Sequence, residues 1–211
     1  MRGLLTFVAW VLGIAGVFMG VLYYFVVDVW TLPVDDPLLA ASVAPTLAAG
    51  DVVVITRRGS VERGHLLRCA DPQAPGRFIV ARAIGRYGDA VEITREVVSI
   101  DGRRTPSPRR CDPPRSTVFD PTRNTEVELD CAEEEYAGRT FSALRDSESP
   151  LPATKAIVEP AMWFLVSDDR HFHLDSRDYG QVAPSTCQHI LFRIVGPAGF
   201  TDAKSRLTVI W

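Results

Sequence analysis

The sequence predicts a mainly β, antiparallel domain carried behind one N-terminal transmembrane helix. From Leu4 to Val27 there is no charged side chain and no His, Asn or Gln, whereas short β-branched runs recur through the remainder of the chain. Outside the first thirty residues, no segment keeps a helical period over about 11 residues. The 46% apolar and 23% charged content belongs to a folded chain. Its 211 residues fit one domain with an appendage. A net charge of -3 leaves no basic excess for phosphate neutralisation, so a nucleic-acid partner is not expected.

The uncharged run defines the expected anchor. As a helix, residues 4–27 would extend roughly 36 Å, enough for a hydrocarbon core of about 30 Å. A cleaved signal peptide is the alternative, but its apolar stretch is about 7–15 residues and ends at a small-residue cleavage site. Here the run is longer and closes on Tyr23, Tyr24, Phe25 and Trp30, residue types that favour the lipid–water boundary. Gly16 and Gly20 form a GxxxG pair, a weak dimerisation signal that leaves the oligomeric state open. Arg2 precedes the run and Asp28, Asp35 and Asp36 follow it, which sets the N-terminus in the cytoplasm and the rest outside the cell membrane. The expected division is residues 1–30 as stub and single-pass anchor, and 31–211 as the extracytoplasmic β-rich domain. Residues 28–211 carry 22 basic and 26 acidic side chains, so attachment rests on the helix rather than on charge.

Cys69, Cys111, Cys131 and Cys187 all fall in the exported portion, where disulfides form. There is no CxxC spacing, and four cysteines allow three pairings. Cys111 with Cys131 is the expected bridge, because both flank one polar, Pro-rich segment; free thiols are the alternative.

The expected strands are 52–56, 78–84, 91–94, 97–100, 127–129, 163–166, 190–195 and 207–210, with Asp101-Gly102 as a hairpin signal. Residues 103–116 and 145–153 read as surface loops. They bracket a weak-stranded stretch, so 103–153 is read as an insertion into the main core. The arginines of 103–116 lie near Asp112 and the acidic run 130–135, which suggests a solvated face.

Three motifs follow the anchor in order. Ser42-Val43-Ala44-Pro45-Thr46-Leu47 comes first, then Ala81-Arg82-Ala83-Ile84-Gly85-Arg86-Tyr87-Gly88-Asp89, then Asp168-Asp169-Arg170 with Asp175-Ser176-Arg177 and Gly180. Their order and spacing behind an apolar N-terminus resemble the bacterial type I signal peptidases, membrane-bound serine endopeptidases of the S26 family. The resemblance runs from the anchor to about Val195. It implies a signal-peptidase-like antiparallel β domain on the outer leaflet that cuts signal peptides from exported preproteins by serine acyl transfer, without a cofactor. The family nucleophile maps onto Ser42. Fifteen extended residues reach at most about 50 Å, which keeps Ser42 within range of the membrane surface. Val80 would line the small-residue pocket, and the 77–81 strand would pair with substrate.

The family lysine that takes the serine proton maps onto Ala81, which cannot accept one. The only lysines are Lys155 and Lys204, neither in a motif. Losing such a partner costs about 10²–10⁴-fold. The resemblance also puts Ala40 where the family often has an oxyanion-binding hydroxyl, Ser167-Asp168-Asp169-Arg170 where it has GDNR, and His173 where it has the serine that bonds the lysine. Two readings follow. In one, His173 has become the base, held by Asp175, so that Ser42→Ala and His173→Ala each abolish cleavage and activity rises through a pKa near 6.5. In the other, the chain is a non-catalytic pseudopeptidase that binds exported segments or a partner protein. His171 and His173, with His65 and His189 elsewhere, invite a zinc reading, but no third ligand is fixed and no metal is expected.

Overall fold

The computed structural model describes residues 2–25, 27–56, 60–203 and 205–210. Its helix α1 runs from Arg2 to Phe25, and the described apolar side chains along it, including Leu4, Phe7, Trp10, Ile14 and Phe18, are exposed. Among the described residues no helix is long and apolar enough to cross a membrane. The side chains of Arg2, Tyr23, Tyr24 and Phe25, on which the expected orientation and boundary rest, lie outside the described ones, as does Lys204.

The strands are β1 (Val27–Thr31), β2 (Val52–Thr56), β3 (Leu66–Ala70), β4 (Phe78–Arg86), β5 (Ala90–Thr94), β6 (Val97–Ile100) and β7 (Arg103–Arg104). They continue as β8 (Arg109–Asp120), β9 (Thr125–Tyr136), β10 (Arg139–Arg145), β11 (Thr154–Ile157), β12 (Trp163–Val166), β13 (Cys187–Val195) and β14 (Thr208–Val209). Two short helices interrupt them, α2 (Pro37–Ser42) and α3 (Ser176–Tyr179). The main sheet has the order β1-β2-β13-β3-β4-β12, with β14 on β13. All its pairings are antiparallel. Strand β13 changes partner along its length: Cys187–His189 pair with β3, and Ile190–Val195 with β2.

The stretch read as an insertion contains a three-stranded sheet, β10-β9-β8. Its segment 109–116, expected as a loop, is part of strand β8. The ladder with β9 skips from Arg110 to Arg115, which leaves Pro113 and Pro114 outside the regular pairing where their missing N–H groups cost nothing. A disulfide joins Cys111 to Cys131 across these strands, as expected, and a second joins Cys69 on β3 to Cys187 on β13.

Strand β4 is the centre of the main core. Ile79 to Ala83 are all fully buried, because β3 and β12 flank the strand and α2 lies against it. Leu39, Val43 and Leu47 from α2 and its following turn pack in one cluster with Val80, Ala81, Leu67, Leu165 and Ile190. Gly85 lies where β4 crosses a second cluster: a Cβ there would come within 2.5 Å of Val91 Cγ2 and 2.9 Å of Val158 Cγ2.

Candidate active site

Asp36 starts the segment that carries Ser42. Its carboxylate accepts from Leu39 N at 2.9 Å and Pro37 occupies the first turn, so the chain enters α2 with a side-chain cap. Ser42 is the last residue of the helix and fully buried. Its Oγ donates to the carbonyl of Leu39 at 2.8 Å, a bond within the helix itself. Its own carbonyl accepts from Asp169 N at 3.1 Å, which fastens the end of α2 to the loop after β12.

The three motifs meet at the Asp168 carboxylate. Thr46 Oγ1 donates to Asp168 Oδ2 at 2.6 Å, and Arg82 makes a two-pronged contact, Nε to Oδ1 at 2.8 Å and Nη2 to Oδ2 at 2.6 Å. Arg82 Nη1 donates to Gly64 O at 2.8 Å, and the guanidinium lies 3.9 Å from the centre of the Phe141 ring. Both partners are fully buried, so each charge depends on the other for compensation. Motif residue Asp89 is likewise held, by Arg63 Nη2 at 2.5 and 2.6 Å and by Arg86 N at 2.9 Å. The three-stranded sheet braces the same loop: Leu144 N donates to Asp168 O at 2.9 Å, and Arg170 N to Leu144 O at 2.8 Å. Fully buried Glu134 pairs with both Arg170 and Arg145. The stretch read from the sequence as an insertion thus touches the loop of the site, and no short-range signal marks the contact.

Ala81 is fully buried beside Arg82 and contributes only a methyl group. Val80, the expected pocket residue, is fully buried in the cluster that also holds Leu39, Val43 and Leu67, so a substrate side chain reaches it only if that packing opens.

His173 and Asp175 do not form the expected pair. Asp175 is the N-cap of α3: its Oδ1 accepts from Arg177 N at 2.9 Å and Arg177 Nε at 2.9 Å, while Oδ2 accepts from Arg177 Nη2 at 2.6 Å and Ser167 N at 2.8 Å. Burial alone would raise the Asp175 pKa; Arg177, with help from His173 and the Ser167 amide, outweighs it and holds the carboxyl below its ordinary value. His173 Nδ1 instead meets Asp178 Oδ2 at 2.8 Å. The chain turns into a helix at Ser176, so Asp178 rather than Asp175 comes round to the imidazole. His171 Nδ1 pairs with buried Glu96 at 2.9 Å, a bond that raises its pKa. The two histidines of the zinc reading thus face different partners. Donor atoms of His173, Asp175 and Asp178 do lie within 4.8 Å of one another, but those of Asp175 are already taken by Arg177 and backbone amides. His65 and His189 stack face to face with ring centres 3.6 Å apart.

Asp169, not singled out as a site residue from the sequence, is fully buried. Its Oδ1 accepts from the His171 and Phe172 amides, each at 2.9 Å, and its Oδ2 has no hydrogen-bond partner. Burial pushes its carboxyl up to about 7, against the pull of those two amides.

The family model described as "Signal peptidase, peptidase S26" matches residues 6–191. No curated protein matches the chain.

Proposed function

The chain belongs to the S26 signal peptidase family, and on that premise we propose that it is a membrane-attached serine endopeptidase cutting signal peptides from exported preproteins, with Ser42 as nucleophile. The observation that carries this reading is the Asp168 carboxylate, which ties Thr46, four residues after Ser42, to Arg82, one residue after the family base position. Such a buried charge network is costly to assemble and fixes the relative placement of the segments it joins. Attachment would come from the uncharged run 4–27, with the N-terminus in the cytoplasm and the domain outside. The extended signal peptide would pair with the 77–81 strand, its small side chain directed toward Val80.

A second reading is a pseudopeptidase that binds exported segments without cutting them. Two facts favour it: Ser42 Oγ has given its hydrogen to the Leu39 carbonyl, and Ala81 offers no acceptor.

The test is cleavage of a signal-peptide substrate by the full chain in lipid vesicles. Cleavage abolished by Ser42→Ala supports the peptidase; binding without cleavage, with turnover appearing in Ala81→Lys, supports the second reading. His173→Ala is expected to leave cleavage within a few-fold, since its imidazole is bonded to Asp178 rather than to Ser42.

A further inference from the structure

We propose that Asp169 is the proton acceptor for Ser42, acting through one intervening water; this rests on the peptidase reading above. Four observations converge on it. First, the amide of Asp169 donates to the Ser42 carbonyl at 3.1 Å, which joins the two buried residues backbone to backbone. Second, Asp169 Oδ2 is buried and has no partner, which is costly for a carboxylate oxygen unless something else satisfies it. Third, Oδ1 is fixed by the His171 and Phe172 amides, so the free oxygen is held in place by its own loop. Fourth, the acid stands where the resemblance expects an amide, in the same chain that has alanine where the family has its base.

The charged groups acting on it are His171 on its own loop and Glu96 on the turn between β5 and β6, with opposite effects. Burial dominates both and leaves Asp169 ready to exchange a proton near neutral pH.

The step balances. After a χ1 rotation that releases the Leu39 carbonyl, Ser42 Oγ bonds to the scissile carbon while its proton passes to the water and a proton from that water passes to Asp169 Oδ2. The carbonyl π pair moves onto oxygen. As the intermediate collapses, the C–N bond breaks and the Asp169 proton returns through the water to the leaving amine. A second water then attacks the acyl carbon and gives one proton to Asp169; as the acyl C–O bond breaks, that proton returns through the bridging water to Ser42 Oγ, which releases the carboxylic acid and restores both Ser42 and ionised Asp169.

The experiment is labelling of the full-length protein in detergent micelles with a fluorophosphonate probe between pH 5 and 9. Labelling of the wild type at Ser42 is expected to rise through an inflection near 7 and to be absent in Ser42→Ala. Asp169→Asn, which keeps the Oδ1 acceptor, is expected to lose about 100-fold or more of the rate and the inflection with it. Asp169→Glu should recover part of both. A wild-type profile flat from pH 5 to 9, or an Asn variant labelling at the wild-type rate with the same inflection, overturns the proposal and leaves Ser42 as the nucleophile. Labelling in Ala81→Lys but not in wild type also overturns it, and shows a serine site without an acceptor. Labelling in neither sinks the peptidase reading itself.

Discussion

Asp169 and His189 give the chain two opposed titrations. Folded Asp169 keeps its proton up to about pH 7, whereas in the unfolded chain it titrates at its ordinary 3.8. Its stabilisation is therefore complete below about pH 4 and lost as pH rises to 7. At about 1.4 kcal/mol per unit, the loss is a few kcal/mol. His189 behaves in the opposite sense. Burial, then the stacked His65 and the nearby Arg139, lower its pKa to about 4 against the pull of Glu62, so the unfolded chain binds a proton first. Stability from the neutral ring is present above pH 6.5 and is lost as pH falls toward 4. Between these limits the two slopes offset each other. Urea midpoints measured from pH 4.5 to 7.5 should rise with pH in Asp169→Asn, fall with pH in His189→Gln, and change less in the wild type than in either.

At the level of elements, the buried charge pair and the closest backbone approach are the sensitive points. Replacing Arg82 by Met strands the Asp168 carboxylate and is expected to cost about 3–5 kcal/mol by chemical denaturation. Gly85→Ala drives a methyl group into Val91 and Val158, for about 1–3 kcal/mol. Chain-entropy arguments rank the disulfides by the loop each closes. Cys69–Cys187 spans 118 residues and is worth about 5 kcal/mol; Cys111–Cys131 spans 20 and is worth about 3. Serine variants of the first should therefore unfold earlier on heating than those of the second.

Strands such as Val52–Thr56, Val97–Ile100 and Trp163–Val166 were legible because β-branched and aromatic residues cluster between turn formers. Strand β8 was not legible, since two prolines read as loop unless the register jump that accommodates them is known. Helix α2 is six residues long, too short to display a period. The motifs located Ser42, Arg82 and Asp168, but not the bond from Thr46 to Asp168, whose partners stand 122 residues apart. The partner of His173 is not legible locally: Asp175 is extended but caps α3 and is held by Arg177, and the helix that starts at Ser176 brings Asp178 to the imidazole instead.

At the scale of the molecule, the exposed apolar length of α1 contrasts with an acidic, largely ion-paired domain. If α1 supplies the attachment, the full chain should float with liposomes of neutral lipid alone. Flotation should persist at high salt, because screening weakens charge attraction and not apolar burial. Loss of flotation at high salt would place the attachment on charged surfaces instead.

Between α1 and the serine lies β1, paired residue for residue with β2 from Val27↔Thr56 to Thr31↔Val52. Tilting, twisting or tugging that arrives along the leading helix is absorbed by that ladder before it can reach Asp36 and the turn beyond. If α1 is the proposed tether, the ladder would serve as a strain relief, like the clamp where a cord enters its housing, between a fluctuating bilayer and the hydroxyl beyond it.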